Sequence, residues 1–456
     1  MHGKNQNLIS PLDSRYAGKV EEVVKYFSED AHRKACFNIE LDYYHFIKAA
    51  MEHKAGKKPS NKIEVYPAVT NDDYNAVGHY EAICKHDIKA VEYAVRDYVV
   101  NHNLGGIQYI HYGLTSQDIV SFSVTSRVKK FVEETLMPMM QQLVGYVEYI
   151  DDFDTPTPIY CRTHGQRGNV TTFSKEMEKY STRLLREMHK MEAIEWYCKF
   201  SGSTGDLTTM DILHPEMLLR EQIEQWMDKN FDISISDCAT QTDNWYSICE
   251  VFTIANNMCN IMLDLSRDLW MYHMNGDIGF KTLDKMQVGS SVMPQKVNPI
   301  DLENAEGNLE MCGMWFQFLP QKLSKSRLQR DLSDSVVIRH IGIPMANMVL
   351  AIKNLCAGVI NIEVKGITNM DYAVFGELVQ TKLRSLGDEI AYETVKKYFR
   401  TGKAMSRPEF EAACANIFDS NDYSDIKEYI TEFDKARDRK IQAKLNKAAK
   451  EYGDKL

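Results

Sequence analysis

The placement of proline sets the tightest limit on what this chain can fold into. Only 12 of its 456 residues are proline, and none falls between Pro67 and Pro138, between Pro215 and Pro294, or between Pro344 and Pro408. Proline removes a backbone donor and clashes with the preceding turn, so its absence over such spans leaves room for unusually long helices. The apolar residues follow the same period. In DIVSFSVTSRVKKFVEETLMPMMQQLVGYVEYI, Val120, Val124, Val128, Val132, Leu136, Met139, Leu143 and Val147 recur at three and four, the spacing of one helical face. KEMEKYSTRLLREMHKMEAIEWYCKF and SICEVFTIANNMCNIMLDLSRDLWMYHM behave likewise. NAEGNLEMCGMWFQFLPQKLSKSRLQRDL and DSVVIRHIGIPMANMVLAIKNLCAGVI continue helically, with bends expected near Pro320 and Pro344. No comparable strand alternation is evident.

The expected fold is therefore all-α, with a central bundle of long helices at residues 113–360 and smaller helical domains at 1–112 and 361–456. A chain of 456 residues supports more than one core. With 23 methionines and many aromatics adding apolar surface, helices this long extend their core across a subunit interface, so a homo-oligomer is expected.

Hydrophobic residues at 44% and charged residues at 26% belong to a folded globular protein. A formal charge of −10 without a long basic run argues against nucleic acid as a partner, and an anionic ligand would need a locally positive pocket. The run FDKARDRKIQAKLNKAAKEYGDKL reads as a solvated helix. Ten cysteines stand singly with no Cys-x-x-Cys pair, which points to reduced thiols and to no metal site. The N-terminal MHGKNQNLISPLDSRY has no apolar core of a signal sequence, and no segment reaches the roughly 18 apolar residues of a membrane helix. A cytoplasmic protein without a membrane partner is expected.

Four polar islands interrupt the helices. CKHDIKAVEYAV sets His86 and Asp87 ahead of a helical stripe, where Asp87 could serve as an N-cap. IHYGLTSQDIV offers His111, Thr115, Ser116 and Asp118 at the start of the long helix; its hydroxyls could cap that helix or bind a ligand together with its N–H groups. CRTHGQRGNVTTF carries His164 beside a glycine, as a loop histidine or as a proton donor. The fourth, VGSSVMPQKVNPIDLEN, is more than a linker needs. Gly289 permits unusual backbone angles, Ser290 and Ser291 bring hydroxyls, Met293-Pro294 stiffens the turn, and Lys296 and Asn298 place a cation and an amide just beyond. Such a loop can hold an anion near an activated hydroxyl, with Ser290 as the base and His164 as the matching acid.

GSSVMPQKVN resembles the signature loop of the fumarase/aspartase superfamily, and TSQD and THGQ resemble its other two signatures in the expected order. Within it the chain is similar to the bacterial-type branch that begins with a Ser-Pro-x-Asp-x-Arg-Tyr element, here SPLDSRY; HDIKAVEY and SRLQRDLSDSVVIRHIG also match. The likeness runs from Ser10 to about Gly342 and is thinnest in the C-terminal part.

This resemblance implies a three-domain fumarase/aspartase-like fold and a homotetramer whose sites are built from three subunits. It also implies cofactor-free release of fumarate from two small nucleotides: adenylosuccinate, giving AMP, and SAICAR, giving AICAR. A rival branch, which splits argininosuccinate, has no phosphate to bind. By resemblance Ser290 is the base and His164 the acid, Lys296 and Asn298 meet the developing charge, Glu303 orients His164, and His86 and His111 assist. The implied binding positions are Arg15, Tyr16, Lys85, Asp87, Thr115, Ser116, Gln241, Ser291 and Asn304, with Arg330, Ser335 and Arg339 on the phosphate side. Read without the family, Arg330 could pair with Asp331 or Asp334, and Arg339 could be solvated. A serine base requires that water be excluded, so a mobile loop is expected at Gln287 to Pro299. Arg167-Gly168-Asn169 after THGQ, and Lys85, depart from the branch and bear on substrate preference.

Overall fold

The computed structural model describes residues 8–56, 66–151, 154–281, 292–293, 296–419 and 422–453. In chain order the helices are α1 (Glu21–Phe27), α2 (Glu29–Lys54), α3 (Asn71–Cys84), α4 (Asp87–Asn101), α5 (Ser116–Phe131), α6 (Met137–Glu148) and α7 (Phe173–Glu192). They continue with α8 (Thr208–Leu213), α9 (Leu219–Phe231), α10 (Tyr246–Asn275), α11 (Ile300–Leu323), α12 (Ser333–Ile338) and α13 (Gly342–Ile360). Four shorter or terminal helices close the chain: α14 (Gly376–Ser385), α15 (Ala391–Phe399), α16 (Arg407–Ile417) and α17 (Ser424–Gly453). The fold is mostly α, as the proline gaps require.

The described residues also form three two-stranded ribbons that the sequence does not advertise. One is a hairpin of β1 (Pro158–Thr163) and β2 (Gln166–Thr172), so CRTHGQRGNVTTF is a β-hairpin rather than a loop. The long helix expected from Asp118 onward is widened by a single π turn at Val132–Leu136 between α5 and α6. Pro138 has no N–H to return to Glu134, which accounts for the local change of period. The bends expected at Pro320 and Pro344 are instead a helix end and a helix start. Pro320 sits in the last turn of α11, and Pro344 in the first turn of α13, where its missing donor has no intrahelical partner. The segment Ser333–Ile360 also corrects the hydropathy expectation: it is apolar enough by length and composition to cross a membrane, at a mean hydropathy of 1.6, yet 67% of that window is buried by protein.

Contacts divide the chain into two compact units: Met1–Gln141, Leu185–Leu263 and Asn304–Lys353 form the first, and Gln142–Leu184, Asp264–Glu303 and Asn354–Leu456 the second. In the first, Phe37, Tyr43, Tyr44 and Ile47 of α2, Val91 and Val95 of α4, and Phe122 and Val128 of α5 are almost fully buried. Phe122 anchors an aromatic cluster, with ring centroids 5.7 Å from Phe200 and 4.8 Å from Phe231, both edge-on. In the second, Tyr372, Phe375, Val379, Phe399, Phe410 and Ile430 close a separate core.

Candidate functional site

In the first unit a cavity of about 1070 Å³ opens where two of the polar islands meet. The junction between α3 and α4 supplies Lys85, His86 and Asp87; the start of α5 supplies Thr115 and Ser116; Gln241 joins them, and the α12 region adds Arg330, Ser335 and Arg339. Each comes from a segment whose local chemistry fixes it.

Lys85 ends α3 in the left-handed region, at φ 55°, and turns the chain directly into α4. The N-cap of α4 is His86, not Asp87: its Nδ1 accepts from the Lys89 N–H at 3.2 Å, leaving Nε2 as the ring's second polar atom. Asp87, released from capping, takes the Ile88 N–H at 2.8 Å and pairs with the Arg339 guanidinium at 2.5 Å. Arg339 therefore is not a solvated surface residue; it also approaches Glu29 at 3.4 Å. Arg330 pairs with neither of the aspartates suggested by sequence. Asp331 is taken up by the Ser333 hydroxyl and N–H and, to a lesser degree, by Arg327, which hold its carboxyl down at about 2. Asp334 is buried and accepts from Thr242, Trp245 and the Ser335 N–H. These bonds, with Thr240 donating to the Gln329 carbonyl at 2.7 Å, tie the Gln241 segment to α12.

TSQD is held from beneath. Asp118 closes a capping box with Thr115, taking its N–H at 2.7 Å. Its other oxygen meets the Lys199 ammonium at 2.5 Å and the Ser201 N–H at 2.8 Å, and both side chains of the ion pair are fully buried. Burial pushes the Lys199 ammonium down and Asp118 opposes it. Gly113, two residues ahead, has φ 75°, and a Cβ there would collide with Met210. Thr115 thus caps the helix, and both it and Ser116 line the cavity.

The helix face expected to be core is partly cavity wall. Ser116, Gln117, Val120, Val124 and Arg127 all line it, running from hydroxyl and amide through two valines to a guanidinium. Arg127 lies on a helix whose stripe reads as packing, and His32 in a segment that carries no motif, so neither stands out in the sequence although both line the cavity. Arg127 donates to the His32 Nδ1 at 3.0 Å and to the Tyr26 carbonyl at 2.7 Å, and it has no carboxylate partner among the described residues. Burial, then Arg127 and Arg339, lowers His32 to about 3, so it stays neutral; burial also lowers Arg127, to about 10.

Other expected residues lie apart from this cavity. His111 has its Nδ1 2.9 Å from Glu40 and its Nε2 3.8 Å from Glu92; burial opposes its charge, but the glutamates prevail and raise its pKa. Arg15 is exposed and lies over the Tyr16 ring at 6.0 Å. The exposed Asn304 accepts from Asn308 at 2.8 Å.

In the second unit, Thr163 pairs with Gln166 and leaves His164-Gly165 as a two-residue turn, at φ 52° and 72°. Such hairpin turns require two left-handed residues; glycine adopts this freely and histidine is among the few side chains that do. Both are exposed, and Arg167-Gly168-Asn169 continue as β2. Glu303, exposed in the first turn of α11, accepts from the Trp270 indole at 3.2 Å. Lys296 is exposed and Asn298 half-buried. Ser290 and Ser291, with most of the expected mobile loop, lie outside the described residues.

Comparison with known families makes the chain a lyase of the fumarase/aspartase type. Residues 14–312 match a family model described as Lyase, and residues 326–431 one described as Adenylosuccinate lyase C-terminal, beyond where the sequence resemblance had thinned. The chain is 31% identical over 452 residues to an adenylosuccinate lyase from Dictyostelium discoideum, covering 94% of this chain and 96% of that one. It is 31% identical over 409 residues to the enzyme of the same name from Legionella pneumophila (strain Corby), covering 86% and 89%. The chain belongs to the adenylosuccinate lyase family. Its fold is also that of 3-carboxy-cis,cis-muconate lactonizing enzyme from Pseudomonas putida, at TM-score 0.65 and 15% identity over 84% of this chain and 86% of that one.

Proposed function

We propose that the chain eliminates fumarate from adenylosuccinate, giving AMP, and from SAICAR, giving AICAR, by general acid/base catalysis without a cofactor. The observation that carries this reading is the cavity of the first unit. It combines Arg330, Arg339 and Lys85 with the hydroxyls of Ser335, Thr115 and Ser116, a set suited to a phosphate and carboxylates in an otherwise acidic protein.

In this reading Ser290 removes the proton from the succinyl carbon next to the one that bears nitrogen, and the electron pair spreads into the adjacent carboxylate. Lys296 and Asn298 meet that charge. As the C–N bond breaks, His164 gives its proton to the departing nitrogen, so a neutral amine leaves. Glu303 orients His164, His86 and His111 assist, and Arg15, Tyr16, Asp87, Gln241, Ser291 and Asn304 bind substrate. Closure of Gln287 to Pro299 excludes water.

The further reading is a cytoplasmic homotetramer of three-domain subunits, divided at 1–112, 113–360 and 361–456, with each site shared among copies and with neither nucleic acid nor membrane as partner. Ultraviolet detection of fumarate, run with adenylosuccinate and with argininosuccinate, tests the assignment. Release from the first is expected, and release from argininosuccinate alone overturns it in favour of the rival branch.

A further inference from the structure

His111 and the residue behind it carry three costs that packing does not require. His111 is a non-glycine residue in the left-handed region, at φ 57°. Its Nδ1 donates to Glu40 Oε2 at 2.9 Å, and Glu40, on α2, is fully buried. The other oxygen of that carboxylate is buried as well and has no hydrogen-bond partner among the described residues. Apolar side chains of similar volume fill such a space at no loss of stability, because a buried ion pair gives up its hydration.

The pair also has a direction. The Glu40 side chain is 0% exposed and that of His111 13%, so the ring opens on the side away from Glu40, where Nε2 lies. Nε2 faces Glu92 of α4 at 3.8 Å, beyond hydrogen-bond reach, and Glu92 is already held by Lys89 at 2.5 Å. Asp118 of α5 bears on the ring from farther off, with its charge taken up by Lys199. The acceptor on one ring nitrogen decides what the other can do. With Glu40 on Nδ1, a charged ring has its second N–H at Nε2. The segment then runs directly into the cavity wall, where Thr115 and Ser116 stand four and five residues on.

We propose that Glu40 is the positioning residue of His111: its carboxylate holds the ring through Nδ1, so that Nε2–H is offered to an anionic oxygen of the substrate. This rests on the assisting role proposed for His111 and adds to it a residue outside the expected set.

The test is Glu40→Gln, which keeps the shape and can still accept from Nδ1 but lacks the charge. In imidazole NMR, assigned with His111→Gln, the wild-type ring should titrate above 6.5 and the Glu40→Gln ring below it, since burial then acts without the nearest carboxylate to oppose it. The alkaline fall of kcat/KM for adenylosuccinate should move down by at least one pH unit, leaving about tenfold less activity at pH 8 and activity within threefold of the wild type at pH 6. Affinities for AMP and for fumarate identify the oxygen: the product that carries it should bind Glu40→Gln at least fivefold more weakly at pH 8. Glu40→Gln added to His111→Gln should change kcat/KM by less than twofold, because Glu40 acts through the ring. An unmoved pH profile, both affinities within twofold, or a further tenfold loss in the double variant overturns the proposal. So does a wild-type ring that titrates below 6.5, a measurement that does not depend on Glu40→Gln folding. Wild-type fumarate release separates the two levels: if it is present and the profile is unmoved, this inference fails alone, and if it is missing, the function and this inference fall together.

Discussion

His111 and His164 have nearly the same backbone, at φ 57° and 52°, and each lies within two residues of a left-handed glycine. Their surroundings are opposite. His111 is enclosed, with Glu40 on one ring nitrogen and Glu92 facing the other, so its charge is committed to the fold. His164 stands exposed at the tip of a two-strand hairpin, with no side-chain hydrogen bond to it among the described residues. The same contrast extends to their motifs. TSQD rests on a buried ion pair that immobilises it, whereas THGQ is a turn whose side chains remain available. A group that recognises a ligand benefits from being fixed, and one that delivers a proton benefits from being unencumbered.

The largest expected effect tests the unencumbered side. His164→Ala should lower kcat by about 10²–10⁴-fold, the usual share of a general acid, with Tm nearly unchanged; retention of turnover in steady-state fumarate release would break the contrast. Next is the buried support. Lys199→Met leaves the Asp118 carboxylate enclosed without its partner and should destabilise the fold by about 3–5 kcal/mol in denaturant titration. A loss below 1 kcal/mol would show that TSQD is held by something else.

The smallest effect concerns pH. His111 has a raised pKa, so its contribution is fully present below its ordinary value near 6.5 and is lost as pH rises through the folded value. His32, lowered to about 3, works the other way: its contribution is present above 6.5 and is lost as pH falls toward 3. In Tm measured against pH, His111→Gln should flatten the alkaline limb and His32→Gln the acid limb. If each variant shifts the whole curve uniformly, neither titration governs stability.

Much of the cavity was legible because its residues come in runs that a helix does not need. Lys85-His86-Asp87, Thr115-Ser116 and the Arg330, Ser335, Arg339 group all interrupt or end apolar stripes, and they line one cavity. What escaped was whatever depends on which side of a stripe is filled. Val120 and Val124 have the spacing of core residues, and only the structure shows a cavity against them, with Gln117 and Arg127 on the same face. Asp87, read as a possible N-cap, is instead the partner of Arg339, and His86 caps the helix, because spacing gives the position of a helix start only to within a residue. The hairpin escaped because its turn is His-Gly, without the Asn-Gly or Asp-Gly that marks such turns most strongly.

The ion pair between Arg339 and Asp87 has one more consequence. An anion bound at Arg339, as proposed, would share a guanidinium already paired with the Asp87 carboxylate, so it would compete with that carboxylate. The affinity measured for any such anion is the difference between two carboxylate-like partners, and when it departs Asp87 can take its place.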